Sequence, residues 1–259
     1  KLAASFIKNA QKNGIGTSLK HFACNNQEYK RFNSDSILDD RTLREIYLAP
    51  FEIAVREGKP KTVMCAYNKI NGIYCSDNKE LLTHILRDEW GFEGVVVTDW
   101  GAMYDRIAAF KAGCDLNMPG GSNYMAQEVL DAVARGELDE ADIDRSVQRI
   151  KKMVLEAQQA IKNKKSCDYQ AHHELARMAA EQSAVLLKNE DNILPLKEGQ
   201  KIAIVGEMAK TMRYQGSGSS HINPTRLIHP LDTLRNSVSV EEAEVAVVFT
   251  GLPPEYESE

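Results

Sequence analysis

Val95-Val96-Val97-Thr98-Asp99-Trp100 decides how the chain is read. Three β-branched apolar residues follow Gly94 and run straight into an acid and a large aromatic. A short continuous apolar run of this kind fits a strand buried on both faces, as in parallel sheets covered by helices. Asp99 then stands at the strand's C-terminal end, where barrels of alternating strands and helices carry their catalytic groups. A carboxylate beside a flat aromatic also suits a sugar ring, which offers hydroxyls at its edge and C–H groups on its faces. The alternative is structural: Asp is a favoured N-cap, and Asp99 would then cap a following helix.

Working outward, strands and helices alternate up to about residue 164. Ile15 to Phe22 reads as a strand after Gly14. Asp39 to Glu57 reads as a helix with Leu43, Ile46, Tyr47, Phe51, Ala54 and Val55 along one side, ended by Gly58 and Pro60 and kinked by Pro50. Thr62 to Tyr67 is a further strand. Asp77-x-x-Glu80 has the form of a capping box before Leu81, Leu82, Ile85 and Leu86. Ala112 to Met118 reads as a short strand, and helices are expected over about Tyr124–Arg135 and Asp142–Ala160. This β-then-α rhythm implies a parallel sheet with helices packed on it. After a polar linker, Ile161 to Asp168, a helix is expected from about Tyr169 to Lys188. The apolar runs Lys201–Gly206 and Glu244–Gly251 then open a second α/β domain.

Composition narrows the function classes. The chain has 259 residues, 43% hydrophobic and 27% charged, enough for one large domain or two modest ones and ordinary for a soluble globular protein. A net charge of −5 gives no basic face for nucleic acid or anionic lipid. No apolar stretch is long enough to span a bilayer. The five cysteines are an odd number with no C-x-x-C pair, which argues against a disulfide framework or a zinc site and for a reducing, cytoplasmic compartment. The start, Lys1-Leu2-Ala3-Ala4-Ser5-Phe6, is too short in apolar residues for a signal peptide and lacks an initiator Met. Gly216-Ser217-Gly218-Ser219-Ser220-His221 lacks the third glycine of a phosphate-binding loop and does not directly follow the strand ending at Gly206. His172-His173 are adjacent in a helical stretch and do not face one metal. No metal or cofactor is therefore expected.

The motifs gain weight in order. Upstream of Asp99 come Lys20-His21-Phe22, Asn25-Asn26-Gln27-Glu28, Arg31 and Ala66-Tyr67-Asn68-Lys69-Ile70-Asn71-Gly72; downstream comes Ala112-Gly113-Cys114-Asp115-Leu116-Asn117-Met118-Pro119-Gly120. This series closely resembles glycoside hydrolase family 3, especially its β-glucosidases, and the resemblance runs on to Gly251-Leu252-Pro253 and Tyr256-Glu257-Ser258-Glu259. It implies an α/β chain: the C-terminal half of a TIM-type (β/α)₈ barrel over residues 1–164, then the beginning of an α/β sandwich domain over 165–259. A full barrel needs roughly 250 residues, so the resemblance implies that the first strands lie outside these residues and that these residues alone are inactive.

The resemblance also implies a retaining mechanism, with two carboxyl groups about 5–5.5 Å apart. Asp99 is the expected nucleophile and Glu259 the expected acid/base, with Glu257 and Glu255 as competitors. Lys20, His21 and Arg31 are expected to hydrogen-bond sugar hydroxyls, Tyr67 to position the nucleophile or the ring, Trp100 to wall the sugar subsite, and Ser219 to reach it from the second domain. From pattern alone, Lys20 and His21 read as surface residues, Arg31 as a solvated loop charge, Tyr67 as a core aromatic and the Ser219 loop as an ordinary loop. The expected partner is a β-linked oligosaccharide or an aryl or alkyl glucoside; nucleic acid and membrane are not expected, and a homo-oligomer is left open. Xylosides or arabinosides are alternative substrates, and a non-catalytic sugar-binding remnant is the alternative from another class. Ala23-Cys24-Asn25 after Lys-His-Phe departs from the Gly-His-Gly run of the N-acetylglucosaminidase branch, which disfavours that activity.

Overall fold

The computed structural model describes residues 1–163, 166–216, 221–234 and 237–252. The chain divides into two compact units, Lys1–Lys165 and Ser166–Glu259. The first unit is built on a parallel sheet of three strands, β1 (Ser18–Phe22), β3 (Thr62–Cys65) and β6 (Val95–Thr98), in the order β1-β3-β6. All four residues of β6 are buried, as its unbroken apolar run requires. Between β1 and β3 the register slips between Leu19 and Phe22, so Lys20 and His21 fall on an irregular strand end.

Helices cover this sheet. α1 (Leu2–Lys12) lies against the end of a continuous helix over residues 40–58 (α2). Asp39 caps α2, its carboxylate accepting from the Thr42 amide at 2.8 Å. Pro50 does not break α2. The helix widens to π-type turns over Leu43–Leu48, just before the proline, and again over Ala54–Gly58. A wide turn accommodates a residue that lacks an N–H and crowds the preceding carbonyl. The apolar side is also narrower than the periodicity suggests: Leu43, Leu48, Ala54 and Val55 are buried, whereas Ile46 is 64% exposed. Lys59, in the left-handed conformation, ends the helix.

The next helix, α3 (Glu80–Glu89), is capped by Asn78, whose Oδ1 accepts from Leu81 N–H at 3.0 Å. The cap is thus one residue beyond the Asp77 of the expected box; Asp77 instead accepts from the Ser76 hydroxyl at 2.6 Å. α4 (Arg106–Ala112), α5 (Asn123–Ala134) and α6 (Glu140–Lys162) follow.

The stretch Ala112–Met118 is not a full strand. Ala112 closes α4, Gly113 takes φ 91°, and only Leu116 bridges to Val97 in parallel. Asp115 explains the difference. Its Oδ2 accepts from Val96 N–H at 2.8 Å, a position a backbone carbonyl would take in a ladder. Arg87 of α3 meets the same oxygen at 2.7 Å. Arg149 and Ser146 of α6 meet Oδ1 at 2.8 and 3.0 Å. The Asp115 side chain is fully buried, and burial pushes the Arg87 guanidinium below its ordinary pKa against the pull of Asp115.

A small second sheet, β2 (Asp35–Ser36), β4 (Lys69–Ile70) and β5 (Ile73–Tyr74), flanks the strand ends. β4 and β5 form a hairpin around Asn71-Gly72, with φ of 50° and 89°. Both central residues at positive φ are the pattern of a tight hairpin turn, which Asn-Gly favours.

In the second unit, β7 (Ile202–Val205) and β8 (Val245–Val248) pair in parallel, Ile202 opposite Val245. α7 (Tyr169–Ser183) precedes them and stops before the expected Lys188, since Ala184 is already extended. Gly206 ends β7 at φ 106°, where a Cβ would stand 2.2 Å from the Phe249 carbonyl oxygen, so no other residue fits.

Asp115→Ala removes the anion that compensates the buried Arg87 and the half-buried Arg149. Breaking a buried ion pair by deleting one partner costs about 3–5 kcal/mol, so urea denaturation of the variant is expected to show a loss of that size.

Candidate active site

The C-terminal ends of β1, β3 and β6 converge on Asp99. The residue follows β6, and its N–H donates to the Cys65 carbonyl of β3 at 3.3 Å. The chain then turns: Ala102 N–H bonds the Asp99 carbonyl at 3.0 Å and Gly101 takes φ 82°. A residue at positive φ in the third position of such a turn favours glycine. Gly101 N–H is held by the Met118 carbonyl at 2.7 Å, and Met118 N–H by the Thr98 hydroxyl at 2.9 Å. The 115–118 segment thereby fastens both ends of β6.

Asp99 is not a helix cap. α4 is capped by Asp105, whose Oδ1 accepts from Ala108 N–H at 2.9 Å. The Asp99 carboxylate instead accepts from the Trp100 N–H through Oδ1 at 2.7 Å and meets His21 Nε2 through Oδ2 at 3.2 Å. The side chains of Asp99 and His21 are 16% and 25% exposed, which leaves the carboxylate shielded but reachable.

Trp100 is 62% exposed. A large aromatic left open beside a carboxylate is a feature that burial energetics does not explain. Its carbonyl accepts from the Tyr67 hydroxyl at 3.0 Å. Tyr67 is 4% exposed, so it is a core aromatic whose polar tip steadies the Asp99 turn.

Arg31 arrives on the loop after β1. Its guanidinium carbon lies 4.7 Å from the Tyr67 ring centre, and its NH1 bonds Glu28 at 2.7 Å. Burial works to lower its pKa, but the hydrogen bond and charge of Glu28, with the charges of Tyr67 and Asp99 further off, hold it above the ordinary value. Lys20 stands beside His21 but is exposed. The structure thus brings His21, Arg31, Tyr67 and Trp100 around Asp99. Ser219, Glu255, Glu257 and Glu259 lie outside the described residues.

Two further residues belong to this neighbourhood. Phe32 tilts against Tyr67 at 4.3 Å between ring centres, and Tyr104 stacks on Tyr74 at 3.5 Å. Aromatic content near the motifs was the available signal for both. Among the described residues no group of three or more metal-ligating side chains forms, and no helix is long and apolar enough to cross a membrane. His172 instead contacts the Cys167 thiol through Nδ1 at 3.2 Å.

A parallel α/β unit with a shielded carboxylate, a histidine and an open tryptophan at its strand ends is the class of site that this fold builds at its C-terminal face. Residues 1–153 match the glycosyl hydrolase family 3 N terminal domain, and residues 184–259 match the family's C-terminal domain. The chain belongs to glycoside hydrolase family 3. It is 46% identical to thermostable beta-glucosidase B of Acetivibrio thermocellus, an alignment covering 100% of this chain and 38% of that protein. It is 42% identical to an exo-alpha-(1->6)-L-arabinopyranosidase of Bifidobacterium breve, covering 99% of this chain and 38% of the other. It also superposes on beta-glucosidase 3B of Thermotoga neapolitana in complex with alpha-D-glucose with a TM-score of 0.84 at 40% identity, covering 91% of this chain and 34% of that one. The chain thus spans well under half the length of these relatives.

Cys24, Cys65, Cys75 and Cys114 are buried and Cys167 is exposed. Burial pushes Cys24 up to about 11 and Cys75 up to about 12, and contact with the Cys114 thiol together with burial raises Cys65 as well. At pH 8 these groups stay as unreactive thiols. Iodoacetamide on the folded protein, read by peptide mapping, is expected to label Cys167 and to reach the other four only after denaturation.

Proposed function

We propose that this chain is part of a retaining β-glycosidase that releases terminal β-D-glucose from β-glucosides. The observation that carries the reading is the Asp99 carboxylate at the end of a fully buried parallel strand, in contact with His21 and beside the exposed Trp100. Membership of the family and likeness to named β-glucosidases support it. In this reading the three-stranded parallel sheet is the second half of a TIM-type barrel over residues 1–164, and the β7–β8 pair opens an α/β sandwich over 165–259. Five free cysteines fit a reducing, cytoplasmic compartment.

The chemistry follows from the roles. Asp99 attacks the anomeric carbon while Glu259 protonates the departing glycosidic oxygen, so the C–O bond breaks as the glycosyl ester forms. Water, deprotonated by the same glutamate, then attacks that carbon from the other face; the ester bond breaks, Asp99 leaves as the carboxylate, and the sugar departs with retained configuration. Lys20, His21 and Arg31 bond the ring hydroxyls, Trp100 flanks the ring and Ser219 closes over it. The arabinopyranosidase relative favours a second reading, an exo-glycosidase for pentosides, xylosides included. A sugar-binding protein without turnover is the outcome that would sink both.

Asp99→Ala in the protein from the complete reading frame is expected to lower kcat on a chromogenic β-glucoside on the order of 10⁴-fold or more, the scale of losing a covalent nucleophile. Azide should partly restore cleavage and give an inverted product. Unchanged turnover would exclude Asp99, and faster hydrolysis of the matching xyloside by the parent enzyme would favour the pentoside reading.

Lys20→Ala, His21→Ala and Arg31→Ala test the subsite separately. Charge-assisted hydrogen bonds are worth about 1.5–3 kcal/mol, so each variant should lose roughly 10- to 100-fold in kcat/KM. Wild-type steady-state kinetics in all three would remove these residues from the sugar site.

A further inference from the structure

The Arg31 loop, residues 25–33, stands over the strand ends with much of its hydrogen bonding internal. Arg31 N–H bonds the Glu28 carbonyl, Asn33 N–H the Lys30 carbonyl, and Asn25 the Glu28 carboxylate. One contact reaches outward from an unexpected place. The Tyr104 hydroxyl donates to the Phe32 carbonyl at 2.9 Å, across 72 residues of sequence. Tyr104 lies five residues after Asp99, in the segment that carries the carboxylate. Its ring stacks on Tyr74 at 3.5 Å with the planes 10° apart. Tyr74 belongs to the β4–β5 hairpin, and Nζ of Lys69 in the same hairpin lies 4.7 Å from the Tyr74 ring centre. Segments following β1, β3 and β6 therefore meet at one phenol.

We propose that Tyr104 is a positioning residue that sets the place of Arg31 relative to Asp99. The inference rests on the sugar-site reading above for its functional consequence, but its structural content is independent of turnover. Phe32 is the next residue after Arg31, and its ring tilts against Tyr67, the same ring on which the Arg31 guanidinium lies. Fixing the Phe32 carbonyl thus fixes both aromatic contacts that orient the arginine. Rigid stacking on Tyr74 fixes the donor in turn, since a phenol held flat against a neighbouring ring cannot swing away from its acceptor. Burial pushes the Tyr104 phenol up to about 12, so it remains a protonated donor at any working pH. The Tyr104 hydroxyl bonds the Phe32 carbonyl and the Asp99 carboxylate meets Trp100 N–H and His21, so Tyr104 acts through the loop.

Tyr104→Phe removes the hydroxyl and keeps the stacking ring. A crystal structure of this variant, in the protein from the complete reading frame, is the direct test. The expected result is a shifted 25–33 loop with the Arg31 guanidinium displaced from the Tyr67 ring. A loop and an Arg31 that superpose on the parent overturn the proposal whether or not the protein hydrolyses glucosides, whereas an inactive parent counts against the glucosidase reading alone. With an active parent, loss of one neutral hydrogen bond should lower kcat/KM about 3- to 10-fold with little change in Tm. The Arg31→Ala, Tyr104→Phe double variant should be no worse than Arg31→Ala alone, within about twofold, because the second change acts through a side chain already gone. Fully multiplied losses in the double variant would also overturn it.

Discussion

The Asp115 carboxylate is the constraint on which the first unit depends. Alone, a buried anion costs several kcal/mol, and so does each buried arginine. Here one carboxylate accepts from two guanidiniums, a hydroxyl and a backbone amide, so its lone pairs are filled. The arrangement gains through geometry what it loses by desolvation. Arg87 reaches from α3, Arg149 and Ser146 from α6, and Val96 belongs to β6. Arg87 also donates to the carbonyls of Gly94, just before β6, and Gly113, just after α4. A purely apolar contact between these elements would tolerate sliding by a residue. A four-donor carboxylate does not, and a slip of one residue along β6 would turn Asp99 to the opposite face.

Position along the strand then passes upward to the site. The outer edge of β6 is filled by Asp115 and Leu116 at its start and by Met118 at its end. The inner edge is filled by β3. Asp99 thus leaves the sheet at a point fixed from both sides, and the Tyr67 hydroxyl holds the following carbonyl. Rigid backbone beneath and a loop above is the usual division of labour in strand-end sites.

What could be read in the sequence follows the same division. Strand β6 was legible to the residue, because a run of valines between a glycine and an acid has few other readings. Strands β1 and β3 were legible except at their ends, where the chain leaves the sheet for reasons of side-chain contact. The stretch around Asp115 was not legible: it looks like a strand, and the carboxylate that replaces the backbone partner gives no periodic signal. Asn78 displaced Asp77 as a cap for a similar reason, since both types cap well and only three-dimensional context chooses between them. Pro50 left its helix unbroken, with π-type turns on either side of it. At the site, the place of Asp99 was legible from its strand, but its role and the residues around it were read from motif order. His21, Arg31 and Tyr67 look like ordinary surface or core residues until the sheet brings their segments together. Phe32 and Tyr104 carried no motif at all, since what matters in them is a carbonyl and a hydroxyl 72 residues apart.

Charge placement sets the Asp99 carboxylate apart from that of Asp115. Arg31 is the strong cation of the neighbourhood, yet its charge is offset within its own loop by Glu28, whose side chain is 67% exposed. Arg87 and Arg149 clamp Asp115, whereas among the described residues no arginine lies within ion-pair distance of the Asp99 oxygens. Among the described residues, Asp99 Oδ2 meets His21 Nε2 and Oδ1 accepts from the amide of Trp100. Two aspartates sixteen residues apart in the sequence therefore sit in opposite environments. One is saturated by two arginines, a hydroxyl and a backbone amide; the other is lightly held, partly open and beside an exposed aromatic. The first fixes the strand that delivers the second, and only the second keeps lone pairs available for chemistry.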